Sequence, residues 1–269
     1  MTRIDWSGRV VVVTGGGSGI GAGIVEEFRA AGAEVIAADI SEDAAAAVAA
    51  ATGAVPERVD VADAASVAAL AASVLGRFGR IDVAVNNAGV GPAVPLADMT
   101  LDDWRWLLGI DLFGVIHGLN AFLPHLEANP DGGRFVITSS MSGYAPMSPL
   151  GAYAVAKAGV SALAEVLAEE LAASGSKVGV TVLAPGPVQT RIGEPQRNRP
   201  AAGRGSFLSF APDAPPEAFL HPREVGRILR EAIEAGRQLV PTHPQLWPRV
   251  AQRHARIAEA FGESVGGSG

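Results

Sequence analysis

The chain has 269 residues, a net charge of −7 and no cysteine. This length suits one large domain with a substantial core, and the acidic balance argues against a broad basic surface for nucleic acid. The absence of thiols excludes disulfides, thiolate metal sites and a cysteine nucleophile.

The opening MTRIDWSGR has no secretory signal pattern, and no apolar stretch reads as long enough to span a bilayer, so a cytoplasmic protein is expected. Along the chain, β-branched runs alternate with alanine-rich stretches of helical period. RVVVVTGG, AEVIAADI, IDVAVNNAG, GRFVITSS, KVGVTVLAPG and RQLVPTH read as strands, with ERVDV a weaker candidate. Strands that are apolar throughout need helices on both faces, which implies an α/β, Rossmann-type doubly wound parallel sheet of about seven strands. Right-handed crossovers then bring the C-terminal ends of the strands to one edge, where ligands bind. A single domain is expected over residues 1–262, followed by a flexible tail, 263–269.

The first strand runs into TGGGSGIG, which brings Gly15, Ser18, Gly19, Ile20 and Gly21 to the start of a helix. Glycines here let the backbone turn tightly and approach a pyrophosphate, while the helix N-terminus offers N–H donors. Asp39 ends the second strand, about 20 residues beyond the glycines, where a dinucleotide fingerprint has an acid. Its carboxylate can accept both ribose hydroxyls and would repel a 2′-phosphate, which points to NAD over NADP. Asp39 could instead cap the next helix, but Ser41 can fill that role. The runs DAAAAVAAATG and DAASVAALAASVLG read as covering helices, alanine being the best helix former.

In YAVAK, Tyr153 and Lys157 stand at i and i+4 and so share one helix face. An ammonium near a phenol favours the phenolate and lowers a pKa otherwise about 10, which suits proton exchange near neutrality. Residues 187–222 are rich in proline and glycine and lack periodicity. Their Phe207, Phe210, Phe219 and Leu220 favour a lid over a ligand, and Arg191, Arg197, Arg199 and Arg204 could bind an anionic group there but read first as its solvated surface. In the closing helix, 243–262, Leu246, Val250, Ile257 and Phe261 fall mostly on one face, to pack on this domain or on a neighbouring subunit. The five histidines (His117, His125, His221, His243, His254) show no metal-ligand spacing, and no serine stands in a nucleophile elbow.

TGGGSGIG (Thr14 to Gly21), NNAG (Asn86 to Gly89), SSMSG (Ser139 to Gly143), YAVAK and PGPVQT (Pro185 to Thr190), in this order and spacing, resemble the short-chain dehydrogenase/reductase family. The resemblance covers roughly the chain up to the lid. It implies that Ser140 holds the substrate oxygen, that Tyr153 exchanges the proton, and that Lys157 lowers the tyrosine pKa and binds the nicotinamide ribose. It also implies that Asn87, Ala88 and Gly89 lie against the cofactor and that Asp60 and Val61 reach the adenine. Pro185, Gly186, Val188 and Thr190 would contact the carboxamide end.

One position departs from the family, because IDLFG has Asp111 where an asparagine usually helps hold a water in a proton relay. Aspartate can accept the same hydrogen bonds and favours the charged Lys157, so a working substitute is expected. Met141, Ser142, Tyr144, Pro146 and Met147, with Gly91 to Pro95 and the lid, are expected to line the substrate pocket. The expected reaction interconverts an apolar or aromatic secondary alcohol and its ketone with NAD, in a homodimer or homotetramer with no metal, nucleic acid or membrane partner. PGPVQTRIGEPQRNRP and THPQLW also resemble the branch of lignin-dimer Cα-dehydrogenases. The alternatives are a reductase of acyl or sugar intermediates, sharing every motif, and a catalytically idle NAD-binding protein.

Overall fold

A computed structural model describes residues 4–194, 199 and 218–262. Its strands are β1 (Val10–Thr14), β2 (Glu34–Asp39), β3 (Val55–Arg58), β4 (Val83–Asn86), β5 (Arg134–Thr138), β6 (Gly179–Ala184) and β7 (Leu239–Pro241). They pair in the order β3-β2-β1-β4-β5-β6-β7, every pair parallel. β1 and β4 are buried along their whole length, as strands covered on both faces must be.

The weak strand candidate lies earlier than ERVDV suggests. β3 pairs Val55 with Ile36 and Arg58 with Asp39, and Pro56 is tolerated because this is an edge strand. Val59 still donates to the Asp39 carbonyl at 2.9 Å before the chain turns away.

On one face of the sheet lie α1 (Gly19–Ala30), α2 (Glu42–Thr52) and α8 (Pro222–Glu234), with Phe28, Ile24, Leu229 and Ile233 in the core layer. On the other lie α3 (Ala64–Phe78), α5 (Gly114–Ala128) and α7 (Gly151–Ala173), with Leu70, Phe122, Leu126 and Leu167. The crossovers through α7 and α8 move in the same direction across the sheet yet cover opposite faces, so they differ in hand. The α8 connection is the left-handed exception to the expected right-handed rule. Its reach to α1 depends on two glycines, since a Cβ at Gly226 would lie 2.5 Å from the Gly23 carbonyl oxygen.

Leu101–Ala128 and Gly151–Ala173 are long and apolar enough to cross a membrane by length and composition, which corrects the expectation that no such stretch exists. Alanine and leucine raise their hydropathy, but Phe122, Leu126, Val160 and Ala164 pack on the sheet. The closing helix, α9 (Trp247–Ala260), begins after a turn at Pro244–Leu246. Its expected common face is divided: Val250 is buried, while Ile257 is 45% and Phe261 83% exposed. Of the expected lid, Arg197, Arg204, Phe207 and Phe210 lie outside the described residues, as does the tail.

Candidate active site

The C-terminal edge of the sheet collects the sequence motifs. At the end of β1, the Thr14 hydroxyl accepts from Asn87 N at 3.0 Å and Ala88 N at 3.2 Å. The Asn87 side chain donates to the Thr14 carbonyl at 3.0 Å and accepts from the Thr138 hydroxyl at 3.2 Å. That amide therefore ties β1, β4 and β5 together, a structural use for a residue expected against the cofactor.

Tight packing explains the glycine turn. A Cβ at Gly15, where φ is +66°, would lie 2.9 Å from the Ala88 Cα, and one at Gly21 would overlap the Gly15 carbonyl and come within 2.7 Å of the Asn87 amide. Gly21→Ala is expected to lower stability by about 1–3 kcal/mol through overpacking. Denaturant unfolding measures this, and an unchanged midpoint would show that the turn has room to give.

Gly19 differs from these, because its Cβ would point across the opening toward Thr190, 3.1 Å away. The glycine keeps clear the gap between the turn and Pro185 to Thr190, and the N-terminus of α1, with Ser18 at its cap position and Ile20 in its first turn, opens onto it. This cradle fits a pyrophosphate. Asp39 stands beside it, 8% exposed, accepting from Gly17 N and Ser41 N at 3.0 Å each. Ser41 caps α2 by accepting from Ala44 N, so Asp39 is not that cap. Asp60 accepts from Ala62 N at 3.0 Å, and the Val61 carbonyl meets His117 Nδ1 at 2.8 Å.

Ser140, Tyr153, Lys157 and Asp111 converge. Tyr153 and Lys157 lie in the first two turns of α7, with the ammonium 5.5 Å from the tyrosine ring centroid. Ser140 caps α6 (Met141–Tyr144), accepting from Ser142 N at 3.1 Å, and its hydroxyl works to lower the Tyr153 phenol. Ser139 faces the other way, donating to the Lys157 carbonyl at 2.9 Å and meeting Ser161 Oγ at 2.7 Å.

Asp111 sits in a single π-helical stretch, Gly109–Phe113, between α4 (Leu101–Leu108) and α5. Such insertions often mark functional positions, because the wide turn re-aims a side chain. Asp111 is fully buried, with Oδ2 3.1 Å from the Lys157 ammonium and Oδ1 accepting from Val90 N at 2.8 Å. Lys157 also donates to the Thr138 carbonyl at 3.1 Å. A Cβ at Gly89 would stand 3.0 Å from Asp111 Oδ2 and 3.3 Å from Lys157 Nζ, so this glycine gives the ion pair its room.

The electrostatics reverse one expectation. Burial pushes the Tyr153 phenol up, and Asp111 adds to it; Lys157 and the Ser140 hydrogen bond pull down but are outweighed. Lys157 has the sign the sequence suggests, but desolvation wins the balance. Burial pulls the Lys157 ammonium down, yet Asp111 and Tyr153 hold it above its ordinary value, while burial pushes Asp111 itself up against the opposing charge of Lys157.

The side expected to meet substrate is built from α6 and the segment after β6. Ser142 is buried, Met147 is 39% exposed, and burial raises the Tyr144 phenol with Ser161 opposing it. Met141 N donates to the Pro185 carbonyl at 2.9 Å, and buried Val188 forms a bridge with Leu220.

Arg199 corrects the solvated-surface reading. It is 5% exposed, donates to Asp103 at 2.6 Å and lies 4.6 Å from the Trp106 ring centroid. Burial pushes Asp103 up, but hydrogen bonds from Thr100 and Arg199 leave its carboxyl below the usual range. An arginine in a proline-rich segment carries no sequence signal for a partner 96 residues away. Among the described residues, no cluster of His, Cys, Asp and Glu could hold a metal.

Residues 9–201 match the family model for short chain dehydrogenases. "Probable oxidoreductase EphD" of Mycobacterium tuberculosis is 40% identical over 188 residues, 68% of this chain but 31% of that protein, so the chain spans about a third of its length. D-threitol dehydrogenase of Mycolicibacterium smegmatis is 36% identical over 231 residues, 83% of this chain and 84% of that one. C alpha-dehydrogenase of a Sphingobium species is 29% identical over 254 residues, 90% of this chain and 83% of that one. A short chain dehydrogenase/reductase of Burkholderia phymatum, solved in complex with NAD, superimposes with a TM-score of 0.87 at 30% identity, covering 98% of this chain and 99% of that one.

Proposed function

Because the chain belongs to the short-chain dehydrogenase/reductase family, we propose that it interconverts a secondary alcohol and its ketone with NAD, using Tyr153 as the general acid/base. The observation that carries this reading is the convergence of Ser140, Tyr153 and the buried pair Lys157–Asp111 at the edge of the sheet. A bound nicotinamide dinucleotide would supply the ring that accepts or returns hydride. In the oxidative direction the Tyr153 phenolate takes the alcohol proton, Ser140 donates to the substrate oxygen, and Lys157 holds a positive charge beside the phenolate. Gly15, Ser18, Gly19, Ile20 and Gly21 would hold the pyrophosphate, Asp60 and Val61 the adenine side, and Pro185 to Thr190 the nicotinamide side.

Asp39 supports NAD over NADP. The Gly17 and Ser41 amides aim its carboxylate at the turn, and no lysine or arginine occurs from Val10 to Phe28 or from Ala30 to Glu57 to balance a 2′-phosphate. Asp39→Ala is expected to lose about 10- to 100-fold in NAD affinity, the worth of a hydrogen bond to a charged group. NADP affinity should hold or rise. Titration with each reduced cofactor tests this, and equal losses for both would refute the ribose contact.

The relation to C alpha-dehydrogenase, together with Met141, Tyr144 and Met147 beside the site, supports an apolar or benzylic alcohol. The relation to D-threitol dehydrogenase supports a polyol as the second reading. The same proposal takes residues 1–262 as one domain with 187–222 as its lid, working in the cytoplasm. It further takes the chain as a homodimer or homotetramer, for which half-exposed Phe113, Val155 and Val166 offer apolar contact. The deciding experiment follows NADH formation by absorbance with NAD or NADP and a panel running from polyols to bulky benzylic alcohols. Turnover of benzylic substrates with NAD is expected; turnover of polyols alone would replace the substrate, and silence with NAD still binding would favour an idle binding protein.

A further inference from the structure

His243 follows β7 and is 2% exposed, yet the mechanism above does not use it. Its ring is engaged on both sides. Gly186 N lies 3.2 Å from Nδ1 and equally 3.2 Å from Thr242 Oγ1, which itself lies 2.7 Å from Nδ1, and the Ala218 carbonyl lies 3.0 Å from Nε2.

A backbone N–H only donates and a carbonyl only accepts. Nε2, which faces a carbonyl, must therefore carry the proton, and in the neutral ring Nδ1 is then an acceptor that meets the Thr242 hydroxyl and shares the Gly186 N–H with it. The fit is close, because a Cβ at Gly186 would lie 2.6 Å from the imidazole Cγ. The two neighbours belong to different arms of one substructure. Gly186 lies next to Pro185, whose carbonyl accepts from Met141 N. Ala218 lies two residues before Leu220, which bridges to Val188. A single buried ring thus joins the outgoing arm, 185–188, and the returning arm, 218–220, to the end of β7.

We propose that His243 is a positioning residue whose Nδ1 sets the cofactor-facing arm at Gly186 and whose Nε2 sets the substrate-facing arm at Ala218. The assignment of the two arms rests on the NAD reading above. In structural terms, cofactor and substrate affinity are adjusted at opposite nitrogens of one side chain.

Two substitutions separate the two ends. His243→Asn places an acceptor near the Nδ1 position and loses the donor to Ala218; His243→Gln places a donor near the Nε2 position and loses the ring acceptor, leaving Gly186 N with Thr242 Oγ1 alone. In the intact protein, fluorescence titration with NADH should show His243→Gln weakened about 3- to 10-fold, the worth of one neutral hydrogen bond, and His243→Asn within about twofold of the parent on the same scale. Amide hydrogen exchange should rise around 185–190 in His243→Gln and around 218–222 in His243→Asn. Equal effects of both variants, or none in either, would overturn the proposal. If the parent fails to bind NADH, the NAD reading fails on its own, and the exchange pattern still decides whether His243 holds the two arms separately.

Discussion

Tyr153→Phe is expected to lower turnover by about 10²- to 10⁴-fold, the range that one positioned general acid/base supplies, while NADH still binds. The phenylalanine keeps the ring in its place under the Lys157 ammonium and removes the oxygen to which the proposed mechanism gives the proton exchange. The parent enzyme should show a matching pH dependence. Burial pushes the phenol above its ordinary value of 10.0, with Asp111 adding to burial and Lys157 opposing it. Oxidation needs the phenolate, so its rate should climb with pH into the alkaline range; reduction needs the phenol and should hold its rate through neutrality. Stopped-flow measurement of the hydride step in both directions tests this. Retention of the parent rate in Tyr153→Phe would remove Tyr153 from the chemistry.

Removing the charge at Asp111 should have the second largest effect. Asp111 and Lys157 are both buried, at 0% and 3% exposure, with their charged atoms 3.1 Å apart. Deleting one partner of such a pair leaves an uncompensated buried ion, at a cost of about 3–5 kcal/mol. Asp111→Ala should lose about that much at neutral pH, and Asp111→Asn less, because the amide can still accept from Val90 N. The dependence on pH follows from linkage. The folded Lys157 value is raised above 10.5 because Asp111 and Tyr153 outweigh desolvation, so its contribution is complete below that value and fades as pH rises through the folded one. The stability gap between parent and Asp111→Ala should therefore be wide at neutrality and narrow in strong alkali. Since Asp111 also pushes the Tyr153 phenol up, Asp111→Asn should move the rise of the oxidation rate to lower pH. Denaturant midpoints across pH and the rate profile provide the two readouts. A profile that does not move would mean that Tyr153 does not sense the charge at 111.

The departure at Asp111 was legible as a departure, but its consequence was not. With the family resemblance placing Asp111 near Lys157, a carboxylate there is expected to favour the ammonium, and the structure agrees. That the same carboxylate, together with burial, outweighs the ammonium at Tyr153 depends on how deeply all three groups are desolvated, which no spacing rule contains. Arg199 teaches the same lesson more simply: an arginine among prolines reads as solvated until the fold sets Asp103 and Trp106 against it. His243 carries no metal-ligand spacing and no other sequence signal, because its partners are the neighbouring Thr242 hydroxyl, a backbone N–H and a backbone carbonyl, the last two being groups that nearly every residue carries.

By itself the sequence determined whatever depends on local order along the chain. The alternation of buried strands and helices specified the doubly wound sheet, the glycines marked where the backbone must turn without a Cβ, and the i, i+4 spacing put Tyr153 and Lys157 on one face. These follow from backbone geometry and side-chain period, which neighbouring residues set. Only the tertiary structure decided the hand of the α8 connection, the partners of Asp111, Arg199 and His243, and the direction of the Tyr153 shift. Each depends on which distant groups share a dry interior. There an unpaired charge or polar group is costly, so long-range partners control the chemistry.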